Sequence, residues 1–234
     1  ELTYKEYSLL RLLLEHTNLR ELGFSFVPYR MEQLEVHGHK RTGCSSPDFL
    51  QEGEAILTLA ELFRKGVGTD WQAQVTRLPN LASRVRWMAD TTRQLTGLDR
   101  FGEYLTALFE ADMLFGNEDR HLNNIAVLRR DGSFAYCPFF DFGAGLLSNT
   151  RDFPLDVVLK ALVGQLRAQP LGTLFARQVH AAQGEFSPQL RWDFTSADVA
   201  ALEEALPYYP QRDRGLLRDR VEWCLKVQQR KLLS

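Results

Sequence analysis

Cysteine is scarce: Cys44, Cys137 and Cys224 are the only three in 234 residues. They are widely spaced and form no CxxC pair, which excludes a disulfide framework and a zinc knuckle. A reducing, cytoplasmic setting is the expectation. Long apolar runs are missing too: none approaches the roughly 20 residues of a membrane-spanning helix, and the first residues lack the pattern of a secretory leader. Neither charge sign dominates, since 28 Lys and Arg stand against 30 Asp and Glu, leaving −2 overall and a pI near 6.3. Without a basic field, nucleic acid is not an expected partner, and neither is a membrane. Internal repeats and low-complexity tracts are also absent. What is present is a 44% hydrophobic chain able to bury one large core or two modest ones.

Helical patterns dominate. "YKEYSLLRLLLEH" sets Tyr7, Leu10 and Leu14 on one broad face, and "GFSFVPYRMEQLEVHG" has the composition of one or two strands. "SSPDFLQEGEAILTLAELFRKG" predicts a helix with Pro47 near its first turn and a basic end closing at Gly66. "GVGTDW" is expected to be a loop. Two further helices are expected near 78–96 and 99–116, the second a core helix through Leu105, Leu108, Phe109, Met113 and Leu114. From about 154 to 233, helical stretches are separated by Pro170, Gly184, Pro188, Pro207 and Pro210.

One non-helical island interrupts this pattern. "IAVLRRDGSFAYCPFF" is two apolar runs joined at Asp131-Gly132, a dipeptide suited to tight hairpins because both residues tolerate positive φ. A hairpin returns the chain on itself, so Asn124 and Asp141 are expected to be neighbours. Phosphoryl transfer needs hard oxygen ligands for Mg²⁺ and a carboxylate that orients and deprotonates the attacking hydroxyl. Asp119 suits the base, and Asn124 and Asp141 suit the metal. Gly143 permits a sharp turn behind Asp141. Asp-x₄-Asn, hairpin, Asp-Phe-Gly is the order of a kinase catalytic half.

The stretch from Asp112 to Leu147 resembles the catalytic and metal-binding segments of atypical protein kinases of the HipA toxin type and the related CtkA-like bacterial kinases, most closely in "GNEDRH" followed by "NN". Its Asp-Arg-His-x-x-Asn order is also similar to the phosphoinositide kinases. Upstream, "KEYSLLRLLLEH", "FVPY" and "CSSPDFLQEGEAI" look like the HipA and CtkA pattern. The resemblance implies an α+β, protein-kinase-like fold, mainly the helical C-terminal lobe with a catalytic β-hairpin and a reduced or missing N-terminal β lobe. Residues 1–45 would be a remnant of that lobe and the hinge, and 46–234 the helical lobe. It further implies ATP- and Mg²⁺-dependent transfer of the γ-phosphoryl group to Ser or Thr hydroxyls of a protein. Asp119 would be the catalytic base, His121 a supporting residue of the loop, and Asn124 and Asp141 the Mg²⁺ and nucleotide residues. Glu6 is the first choice, and Glu1 the second, for the helix glutamate that pairs the phosphate-binding lysine. No phosphate-covering loop or strand lysine precedes Glu6, so the expectation is an upstream lobe or an antitoxin-like partner, the latter on family analogy alone. A lipid or small-molecule kinase would use the same residues, and a pseudokinase or binding module would transfer nothing.

The other singled-out residues have plainer readings. His121 is expected to brace the loop by hydrogen bonds, and Asn117 and Asn123 to shape it. Arg120 is either a surface charge or a phosphate contact, with no basis in sequence for choosing. His37 and His39 belong to a solvated turn, and Arg129 and Arg130 to a hairpin tip. "PQRDRGLLRDRVEW" is expected to be a salt-bridged, exposed helix face. Ser148 and Thr150 are candidate phosphorylation sites by position only.

Overall fold

The computed structural model of the chain describes residues 5–147, 149, 151–200, 207 and 211–232. Helix α1 (Lys5–Glu15) buries Leu10, Leu13 and Leu14, a spacing that keeps one stripe inward. An antiparallel ribbon follows, β1 (Arg30–Val36) paired with β2 (His39–Ser45) from Arg30↔Ser45 to Val36↔His39. His37 and Gly38 turn the ribbon with φ of 51° and 74°, as the solvated-turn reading expects.

The segment expected to be one helix from Pro47 to Gly66 is a loop, a strand and a helix. Gln51 and Glu54 close a turn in which Gly53 adopts φ 82°, and β3 (Ala55–Thr58) then pairs with a distant strand. Helix α2 (Leu59–Gly66) starts only at Thr58, whose hydroxyl accepts from Glu61 N at 3.3 Å. The good helix formers of residues 51–58 lose to sheet pairing, because β3 fills the edge beside the hairpin. That hairpin is as expected: β4 (Ala126–Arg130) pairs with β5 (Ser133–Tyr136), and Asp131 and Gly132 turn with φ 48° and 83°. The sheet order is β3-β4-β5.

Short α3 (Trp71–Thr76) precedes α4 (Leu81–Thr96) and α5 (Phe101–Phe115), close to the expected bounds. Asn80 caps α4 through Ser83 N at 2.8 Å, and Gly97 ends it in the left-handed region. Every residue of α5 except Glu103 is buried, so the helix is the axis of the core. Around it pack α4, α7 (Phe175–Phe186) and α9 (Arg214–Leu232), with α6 (Leu159–Val163) and α8 (Ser196–Ala200) as short links. Leu10, Leu19 and Phe24 share that core with Phe101 and Leu105, and Val27 N and Phe139 N exchange bonds with Phe139 O and Ser25 O at 2.9 and 2.7 Å. None of the described helices is long and apolar enough to cross a membrane.

Candidate active site

The site begins at the end of α5. Gly116 adopts φ 63°, and Asn117 N donates to Asp112 O at 2.9 Å, which turns the chain out of the helix into the loop 117–124. Asp112 is fully buried on a helix with no water to solvate it, so its carboxylate needs a partner. Arg120 supplies it: Nε donates to Oδ2 at 2.9 Å and to Oδ1 at 3.1 Å, while Nη2 donates to Oδ1 at 3.0 Å. Asn117 Nδ2 adds a bond to Oδ1 at 2.7 Å. Burial pushes the Asp112 carboxyl above its ordinary range, and Arg120 and Asn117 pull against that.

Arg120 is therefore neither a surface charge nor a free phosphate ligand, the two readings its sequence position left open. Its side chain has no exposure. Its remaining arm, Nη1, donates to Asn124 O at 2.9 Å and to Phe140 O at 2.6 Å. One guanidinium thus ties the end of the loop to the residue before Asp141, and its central carbon lies 4.4 Å from the Phe142 ring centre. Asn117, read as loop-shaping, also reaches Asp141 O at 3.4 Å. The sequence did hold a signal: a carboxylate on a helix apolar on all faces demands a buried cation, and Arg120 is nearby downstream.

Within the loop, Asn124 N donates to His121 O at 2.8 Å and Asn124 Nδ2 to Asp119 O at 2.9 Å. Nδ2 is spent on the loop itself, while Oδ1 accepts no hydrogen bond among the described residues. The Asp119 carboxylate is 58% exposed, with His121 Nε2 3.7 Å from its Oδ1. Asp141 is half-buried with φ 54°, a left-handed conformation that Asp tolerates better than most residues. These bonds set the backbone of Asp119, His121 and Asn124 beside the segment Phe140–Asp141 at one end of the hairpin. Glu6 lies in the first turn of α1, and its side chain falls outside the described residues.

Beyond Asp141, Phe142 is buried edge-on against Phe115 at 5.7 Å, and Leu146 N donates to Phe115 O at 2.6 Å. Leu146 and Leu147 take φ of 53° and 57°, strained for bulky residues. Arg220 of α9 holds that conformation through Leu147 O at 3.0 Å, Phe153 O at 2.8 Å and Pro154 O at 2.6 Å. It is 2% exposed, an exception on a segment whose Arg212, Arg218 and Asp219 are exposed, as expected of that face. Ser148 and Thr150 lie outside the described residues.

No protein-family model matches the chain, and no curated protein matches it in sequence. Among solved structures it is similar to the Helicobacter pylori proinflammatory kinase CtkA, with a TM-score of 0.63 over 98% of this chain and 83% of that one, at 14% sequence identity. The expected resemblance therefore holds at the level of architecture, and the chain has a CtkA-like, kinase-like fold.

Proposed function

We propose that the chain is an ATP- and Mg²⁺-dependent phosphotransferase that moves the γ-phosphoryl group to a Ser or Thr hydroxyl of a protein. The observation that carries this reading is the double tether of Arg120 to Asn124 O and Phe140 O, which holds the loop of Asp119 against the segment that leads into Asp141. The fold shared with a kinase supports it.

In this reading the exposed Asp119 carboxylate orients the acceptor hydroxyl and takes its proton as the oxygen attacks phosphorus and the bond to the ADP oxygen breaks. Asp119 and Asn124 act as one unit, because the Asp119 carbonyl holds the Asn124 amide. The donor set fits Mg²⁺: the Asn124 carbonyl oxygen and the Asp141 carboxylate are hard oxygens. Among the described residues no group of three or more His, Cys, Asp or Glu could cage a metal, and Mg²⁺ shares its shell between one or two side chains, phosphates and water. Bound there, the ion would neutralise charge on the phosphates. Ala126, Leu128 and Cys137, with Phe49, Leu50 and Phe140 packed against them, form a separate apolar cluster beside this strand end, suited to stack a base.

The test is transfer of labelled γ-phosphate from MgATP to protein or peptide hydroxyls. Asp119→Asn is expected to reduce transfer by at least about 10²-fold, the lower range of acid–base contributions, and Asp141→Asn, which removes the charged metal ligand, to reduce it comparably, each with an unchanged circular dichroism spectrum. Near-full activity in either variant refutes the reading, and transfer to a lipid or small-molecule hydroxyl alone would reassign the acceptor.

A further inference from the structure

A pocket of about 480 Å³ lies between α2, α3 and the loop 117–124. Thr58, Arg64, Thr69, Trp71, Gln72 and Asn123 are among the residues that line it. Its position is fixed to the loop by backbone bonds, since Leu59 N donates to Ile125 O at 2.8 Å and Ala60 N to Leu122 O at 3.2 Å. The first turn of α2 therefore brackets Asn123 and Asn124. The opposite wall is equally firm: Trp71 packs edge-on against Phe63 at 5.6 Å, and Phe63 is fully buried and packs in turn on Trp87.

The charged side chains lining the pocket are Glu61 and Arg64, both on α2, and Lys65 follows on the same helix. Lys65 Nζ already takes Glu61 Oε1 at 2.6 Å. Arg64 Nη2 stays 3.8 Å from the same oxygen, makes no hydrogen bond among the described residues, and is 58% exposed. Lys65, then Arg64 and Arg129, hold the Glu61 carboxyl below its ordinary range, so three cations act on one carboxylate.

We propose that this pocket is the subsite for an acidic side chain of the acceptor protein, flanking the modified hydroxyl and taken by Arg64, with Thr69, Gln72 and Asn123 as neutral hydrogen-bonding neighbours. The inference rests on the phosphotransferase reading and narrows its acceptor to segments with Asp or Glu near the Ser or Thr. A basic flank would meet like charge from Arg64 and Lys65, and an apolar one would strand the polar wall without partners.

The experiment uses the whole chain and two labelled peptides, identical except for Glu or Lys scanned through the positions flanking one Ser. Fluorescence anisotropy is expected to show the Glu peptide binding at least about tenfold tighter, as suits one charge-assisted contact. Arg64→Glu should invert that preference, and Gln72→Ala should weaken the Glu peptide without favouring Lys. Equal binding of the two peptides, or a preference unmoved by Arg64→Glu, overturns the subsite even if both peptides are phosphorylated. A charge preference that Arg64→Glu inverts, with no phosphoryl transfer to either peptide on adding MgATP, upholds the pocket and removes the phosphotransferase reading instead.

Discussion

Arg120 contributes structure where its neighbours Asp119 and His121 face solvent. Removing one member of a buried ion pair strands the other, so Arg120→Met is expected to destabilise the fold by about 3–5 kcal/mol in urea unfolding. The double variant Asp112→Leu, Arg120→Met should recover part of that loss, because no lone charge is left inside. Glu110, 1% exposed on the same helix, gives a pH signature. Burial raises its carboxyl above the ordinary value, opposed by hydrogen bonds from Gln183 Nε2 and the Leu190 and Gln189 amides. The folded chain therefore binds this proton before the unfolded chain does. Its contribution is fully present below the ordinary Glu value and is lost as pH rises through the raised one. Urea midpoints measured between those limits should fall with rising pH in the wild type, and the slope should flatten in Glu110→Gln.

Helix α5 tolerates two buried carboxylates because Gln183 of α7, the segment just after it and the loop supply their partners, and α7 sets Phe186 against α5 at a glycine. A Cβ on Gly102 would lie 2.3 Å from the Phe186 ring. Alanine would favour the helix by up to about 1 kcal/mol, but the clash opposes it with about 1–3 kcal/mol. Gly102→Ala should therefore be net destabilising by about 1 kcal/mol in urea unfolding, and Phe186→Ala in the same chain should reduce the penalty. The hairpin was legible because Asp131-Gly132 carries its own turn geometry. The bounds of α4 were legible because Asn80 and Gly97 are local caps. Strand β3 was not, since nothing in "EAILT" separates a helix start from an edge strand until β4 lies beside it.

Nucleotide binding should register across the fold, since the proposed site joins the loop, the hairpin and the end of α5. Any ligand that binds only the folded chain stabilises it, by about 2.7 kcal/mol at a hundredfold excess over its Kd. MgATP is expected to raise the thermal midpoint of the wild type. Removing Mg²⁺ with EDTA should reverse most of that rise, and Asn124→Ala should show little Mg²⁺-dependent shift from the start. An equal shift with and without Mg²⁺ would argue against Asn124 and Asp141 as metal ligands.

Features governed by near neighbours could be read along the chain: the tight turn at 131–132, the strongly apolar α5, and the Asp-x₄-Asn spacing of the loop. Each depends on backbone preferences or periodicity within a few residues, which sequence carries in full. The burial of Arg120 depended on Phe140, 20 positions away, and the Arg220 clamp on Leu147, 73 positions away. A cation is solvated or enclosed according to what surrounds it in space, so only the folded chain decided that these two arginines are enclosed while Arg64 stands exposed.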